Sequence, residues 1–169
     1  MTVLVADTSG LVSLSIVAGD GADPLVLCIE RYDVLVPAIV VDELEEVASY
    51  DDEHGRAASA VLQHTDSFTT RSVSLDSEFP LDDGENAAVT LANETDAALL
   101  LCDEFNRLGL IHASLADTRL ATTPTLLSVL VRQRQLDSDQ ALELLDAMSE
   151  VRSWENNSYI QRARSLLTG

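Results

Sequence analysis

The sequence predicts an α/β fold, a three-layer α/β/α sandwich around a central, mostly parallel sheet with a helical C-terminal extension. Three observations carry this. Short continuous apolar runs (VLVA, VLVP, LLLC) read as strands buried on both faces. Longer amphipathic segments separate them, so strands and helices alternate. From about residue 122 onward only helical patterning remains. With 169 residues and no linker, repeat or low-complexity stretch, one domain over 1–169 is expected, with 122–169 as its helical C-terminal part.

Residues 2–6 (TVLVA) form the first expected strand. DTSGLVSLSIVA reads as a helix that Asp7, Thr8 or Ser9 can cap. Residues 24–32 read as a short helix, with Pro24 suited to its first turn. DVLVP (33–37) is a second buried strand, followed by a helix from Ala38 through Tyr50 and another opened by Asp51 and Asp52. FTTRSVSL (68–75) alternates enough for a third strand near an edge. SEFPLDDG is a loop, ENAAVTLANETD a helix and AALLLC a fourth strand. EFNRLGLIHASL is helical and TRLATT a short fifth strand. PTLLSVLVRQRQL, DSDQALELLDAMSEV and NNSYIQRARSLL complete the chain as helices.

The charge balance is extreme: 29 acidic residues against 10 basic ones, every one of them Arg, for a net charge of −19. The acids recur along the whole chain and form no tail, so the folded state carries strong self-repulsion in dilute buffer. At ~1 M salt the Debye length falls to about 3 Å and that repulsion largely disappears. An acidic, Lys-free surface reads as adaptation to a salt-rich cytoplasm. Acidity argues against nucleic-acid binding through Lys and Arg alone, but less so where salt is high and a divalent metal carries the substrate charge. Cys28 and Cys102 lie in apolar runs and read as small core residues in a reducing cytosol. No signal-peptide pattern opens the chain, and VLVPAIVV is too short to span a membrane. His54, His64 and His112 show no metal-ligand spacing and read as structural or surface residues.

Four acids stand at the ends or beginnings of four expected elements: Asp7, Glu43, Glu85 and Asp103. Asp7 and Asp103 follow strands, and in an open parallel sheet strand C-terminal ends line the ligand crevice. Glu43 and Glu45 both flank the apolar face of Val40, Val41, Leu44, Val47 and Ala48, and spacing does not choose between them. Asp82 and Glu85 fit a capping box, which by itself requires no catalysis. An isolated Asp7 would likewise be read as a helix cap. Asp103 and Glu104 form a pair at a strand end, and either can face the crevice. Clustered, such carboxylates cannot all stay ionised without a compensating cation. Oxygen ligands suit Mg²⁺ or Mn²⁺, and phosphodiester cleavage is the chemistry such a site serves best.

Taken in order, these motifs resemble PIN-domain proteins, the ribonuclease fold of many VapC-like prokaryotic toxins. VLVADTSGLVSL is similar to the family's opening strand with its Asp and following Ser/Thr, and VPAIVVDELEEV to its second strand and acid-bearing helix. DDGENAAVTLA resembles the Gly-Glu start of the third acidic helix, and LLLCDEFNRLGL the strand followed by an acidic pair and Arg107. TTPTLLSVLVRQRQL resembles the Gly-Thr-led helix of one PIN branch, here without the Gly. The resemblance selects Glu43 over Glu45. It implies a metal-dependent endoribonuclease with Asp7, Glu43, Glu85 and Asp103 as catalytic metal ligands for Mg²⁺ or Mn²⁺. Many PIN toxins have Asp where this chain has Glu85. The family's last acid usually follows a Thr-x pattern; if Cys102 replaces that Thr, the ligand is Glu104 instead of Asp103. Thr8, Ser9 and Arg107 are the implied substrate contacts; for Arg132 and Arg134, solubility and local ion pairing are the favoured reading. RNA is the implied partner, with an antitoxin protein and a homodimer as further expectations. The competing expectation is a PIN-fold interaction protein without activity.

Overall fold

The computed structural model describes residues 1–19 and 21–168. Its centre is a five-stranded sheet in the order β3-β2-β1-β4-β5. The strands are β1 (Thr2–Ala6), β2 (Tyr32–Pro37), β3 (Thr69–Arg71), β4 (Leu99–Leu101) and β5 (Arg119–Ala121). Every pairing is parallel. Among the described residues there are nine α-helices: α1 (Thr8–Ser15), α2 (Pro24–Arg31), α3 (Ala38–Ala48), α4 (Glu53–Leu62), α5 (Asp83–Thr95), α6 (Leu108–Ser114), α7 (Thr123–Arg132), α8 (Ser138–Arg152) and α9 (Ser158–Thr168).

The pleat divides the apolar strand residues between two cores. Leu4, Ala6, Val34, Val36 and Leu101 pack with residues of α1, α4, α7, α8 and α9. Val5, Leu35, Leu100 and Cys102 face the opposite way, onto Ala88, Val89, Leu91 and Ala92 of α5 and Ile111 of α6. Burial on both faces explains why these strands are continuous apolar runs. The C-terminal helices belong to the first core through Leu126, Leu130, Leu145, Met148 and Ile160.

The local starts follow the caps in the sequence. Asp23 caps α2 with Pro24 in its first turn, Asp52 caps α4, and Asp82 and Asp137 open α5 and α8 with capping boxes. Two expectations are corrected. The third strand, expected over 68–75, is only Thr69–Arg71 and is exposed at the sheet edge. Its partner β2 ends at Pro37, opposite Arg71, so no ladder remains for the following residues. The helix expected from Glu104 begins instead with a 3₁₀ turn, Phe105–Arg107, before α6.

Candidate active site

The chain runs from β1 outward through β2 to β3, then returns to the other side of β1 to add β4 and β5. The order therefore reverses between β1 and β4, where two strand C-termini diverge and leave a crevice. A cleft of about 400 Å³ opens there, and its walls include Asp7, Thr8, Glu43, Glu85, Glu104 and Arg152.

Asp7 terminates β1 and stands at the N-cap position of α1, but its side chain makes no capping bond. It is 4% exposed. Its Oδ2 accepts instead from Ser9 Oγ at 3.2 Å and from the Cys102 thiol at 3.3 Å. Burial pushes its pKa from an ordinary 3.8 to about 7, with Glu43 and Glu104 adding repulsion and the bonds from Cys102 and the Thr8 backbone opposing it. Cys102 is thus a free, buried core thiol that also serves the carboxylate at the end of β1.

Glu43 comes from α3, whose Val40 and Leu44 are fully buried. That anchoring turns Glu43 to the cleft and leaves Glu45 exposed. Glu43 Oε1 accepts from Thr8 Oγ1 at 2.8 Å. Its pKa is raised, first by partial burial and then by Asp82, Glu104 and Glu85, against the lowering effect of the Thr8 bond. Gly84 makes this position possible: a Cβ there would lie 2.2 Å from Glu43 Oε1.

Glu85 fulfils two roles at once. It completes the capping box of α5, and it also lines the cleft at 3% exposure. Arg107 Nε donates to its two carboxylate oxygens at 2.8 and 2.9 Å, and Arg107 also donates to the Pro80 carbonyl.

The acidic pair after β4 splits. Asp103 turns into the protein, where its Oδ1 accepts from the Thr123 N–H at the start of α7 at 2.7 Å and its buried Oδ2 has no partner. Burial raises its pKa against the lowering effect of Thr123 and Ser13. Glu104 lines the cleft in its place. Its pKa is raised, first by partial burial, then by Glu85 and other acids, with Arg152 opposing. The expectation favours Asp103 for the crevice, with Glu104 as the alternative; the structure instead has Glu104 lining the cleft and Asp103 held by the α7 N-terminus.

The other expected contacts fall unevenly. Thr8 and Ser9 line the cleft, but each already holds a carboxylate, and Ser9 Oγ also accepts from the Asp103 N–H. Arg107 is engaged by Glu85. Arg132 and Arg134 are exposed and do not line the cleft. Asp82, expected only as a helix cap, and His54, expected as a structural or surface residue, also line it, as do Tyr50 and Arg152. Tyr50 and Arg152 lie outside every motif, so no local signal pointed to them.

Carboxylate and hydroxyl oxygens dominate the polar lining of the cleft, and burial disfavours the charge on three of the lining carboxylates. A divalent cation would relieve that cost. Among the described residues, however, no three His, Cys, Asp or Glu side chains already form a group that would hold an ion. This arrangement fits Mg²⁺ or Mn²⁺ held by one or two carboxylates, with water and substrate completing the shell, better than a closed protein cage. Among the described residues no helix is long and apolar enough to cross a membrane.

A comparison with curated proteins gave no match. A family model described as a PIN domain matches residues 3–168, nearly the whole chain, and the chain belongs to that family. PIN domains are generally nucleases that use divalent metals, so membership indicates nuclease-type activity on nucleic acid.

Proposed function

We propose that this PIN-domain protein is a metal-dependent endoribonuclease that hydrolyses RNA phosphodiester bonds in the cleft between β1 and β4. The observation that carries the reading is the convergence of Asp7, Glu43, Glu85 and Glu104, from four separate elements, on one cleft at the switch point of the sheet. Bound Mg²⁺ or Mn²⁺ would supply a water of lowered pKa and charge stabilisation at the phosphate. Asp7 and Glu104 are the direct ligands in this reading, and Glu43 orients water or shares the ion. Thr8 holds Glu43, while Ser9 and Cys102 hold Asp7, so the carboxylates keep their aim. Arg107 neutralises Glu85 and fixes its rotamer. Asp103 acts at a distance, tying the end of β4 to α7 so that Glu104 faces the cleft.

The test is cleavage of a mixed RNA substrate in high KCl with Mn²⁺ or with EDTA, beside Asp7→Ala. Metal-dependent cutting that the variant loses is expected. In the toxin form of this reading, expression of the wild type arrests growth of a host and the variant does not. A second reading, an inactive interaction protein, draws on one observation: Arg107 already neutralises Glu85. A folded wild type that binds no Mn²⁺ by calorimetry would favour it.

A further inference from the structure

Arg152 ends α8 and lines the acidic cleft. Its guanidinium forms no ion pair and no hydrogen bond with any described residue, although Glu104 and Asp103 both feel its charge. Three other arginines are ion-paired, Arg56 to Glu53, Arg107 to Glu85 and Arg164 to Asp146; of the described arginines without an ion pair, Arg152 is the one that lines this cleft. What holds Arg152 is an aromatic stack. Its guanidinium lies 5.7 Å from the centroid of the Trp154 ring. Trp154 meets Phe105 edge-on at 5.2 Å, and Phe105 stacks on Tyr159 at 5.3 Å. The stack forms because Ser153 closes α8 in the left-handed conformation, at φ +59°, and turns Trp154 back so that its N–H bonds Ser149 O. Phe105 directly follows Glu104, so the stack that props Arg152 also braces the strand end carrying the acid.

Tyr50 also lines the cleft and is 50% exposed. This is an unusual place for a ring in a chain with one Trp, three Tyr and three Phe. Its backbone is fixed: the Tyr50 N–H bonds Val47 O, and Gly55 of α4 packs so closely that a Cβ there would lie 1.9 Å from Tyr50 O. The ring is therefore presented from a rigid turn between α3 and α4.

We infer that Arg152 and Tyr50 form a nucleotide subsite of the cleft, with the Arg152 guanidinium binding a backbone phosphate of single-stranded RNA and the Tyr50 ring stacking a base. This rests on the nuclease reading and adds the residues that would seat the substrate. An unpaired guanidinium presents several donors to an oxyanion, which the acidic cleft otherwise repels. An exposed ring gives any unstacked base a face, which a duplex would not offer.

The test is single-turnover cleavage of a labelled single-stranded RNA with Mn²⁺, read as the protein concentration at half-maximal rate across a KCl series. Arg152→Ala should raise that concentration roughly tenfold or more, and lower its log-log salt slope by about 0.7, the value for one phosphate contact on a single strand. Arg152→Lys should restore the slope. Tyr50→Ala should raise the concentration on the order of tenfold with the slope unchanged, and Tyr50→Phe should recover it. Mn²⁺ affinity and thermal unfolding should stay at wild-type values in the Lys and Phe variants. An unchanged slope in Arg152→Ala would make Arg152 a counter-charge for Glu104 and overturn the phosphate assignment; an unchanged half-maximal concentration in Tyr50→Ala would overturn the stacking assignment. A wild type that neither binds nor cuts the strand would sink the nuclease reading and the subsite together.

Discussion

Asp7→Asn should stabilise the metal-free protein at alkaline pH while removing its activity. The substitution keeps the shape of the side chain, and an amide oxygen can still accept from Ser9 and Cys102. It removes a charge that burial disfavours. The folded-state pKa of Asp7 is about 7 against an ordinary 3.8, so its ionised form destabilises the fold. The destabilisation is absent below the lower value, grows as pH rises between the two, and is complete above the higher one. At about 1.4 kcal/mol per pH unit the full effect approaches ~4 kcal/mol, a large part of the stability of a small protein. The assay is urea unfolding of wild type and variant in EDTA at constant KCl, from pH 4 to pH 8.5. Because amide and carboxylic acid bond differently even when both are neutral, the informative quantity is the change in their stability difference across that range. The advantage of the variant should increase by several kcal/mol and level off above pH 7. A difference that stays flat across the range would refute the reasoning, since Asp7 would then carry no buried charge. Mn²⁺ should reverse the order at pH 8 by stabilising the wild type alone.

Three further outcomes follow from the same geometry. Gly84→Ala should displace the Glu43 carboxylate and weaken Mn²⁺ binding, while stability changes by no more than about 1 kcal/mol because Ala favours the helix; calorimetry beside thermal unfolding checks both. Glu104→Gln should lower Mn²⁺ affinity or cleavage by roughly 10- to 100-fold, whereas Asp103→Ala should cost about 1–3 kcal/mol of stability by stranding the Thr123 N–H; the opposite pattern would return the ligand role to Asp103. With a net charge of −19, the unfolding temperature should climb with KCl toward ~1 M, where the Debye length is about 3 Å; a flat or falling trend would remove the argument for a salt-adapted surface.

Much of the architecture was legible in the residues themselves. Apolar runs such as VLVA and LLLC specified buried parallel strands because only a sheet covered on both faces needs them. Asp82 with Glu85 announced its helix because orphan N–H groups at a helix start have few partners nearby other than side chains of this kind, and Pro24 announced another because a first turn has no use for its missing N–H. Asp7 and Glu85 stood out as candidates because a strand end and a helix start are local properties, whereas Glu43 and Glu45 flank the same apolar face and only the family resemblance separated them. What the sequence left open depended on partners distant in the chain. Asp103 and Glu104 are chemically alike and adjacent; the N-terminus of α7, 20 residues later, captures the first and leaves the second to the cleft. In the structure the buried Val40 and Leu44 turn Glu43, not Glu45, to the cleft, and Gly84 leaves the space it occupies. Arg152 and Tyr50 reach the cleft only because α8 packs back against α1 and α7 and the turn after α3 is pinned by Gly55. Local propensity and periodicity decide which elements form; which side chain occupies a shared cavity is decided by competition among groups that meet only after the chain has packed.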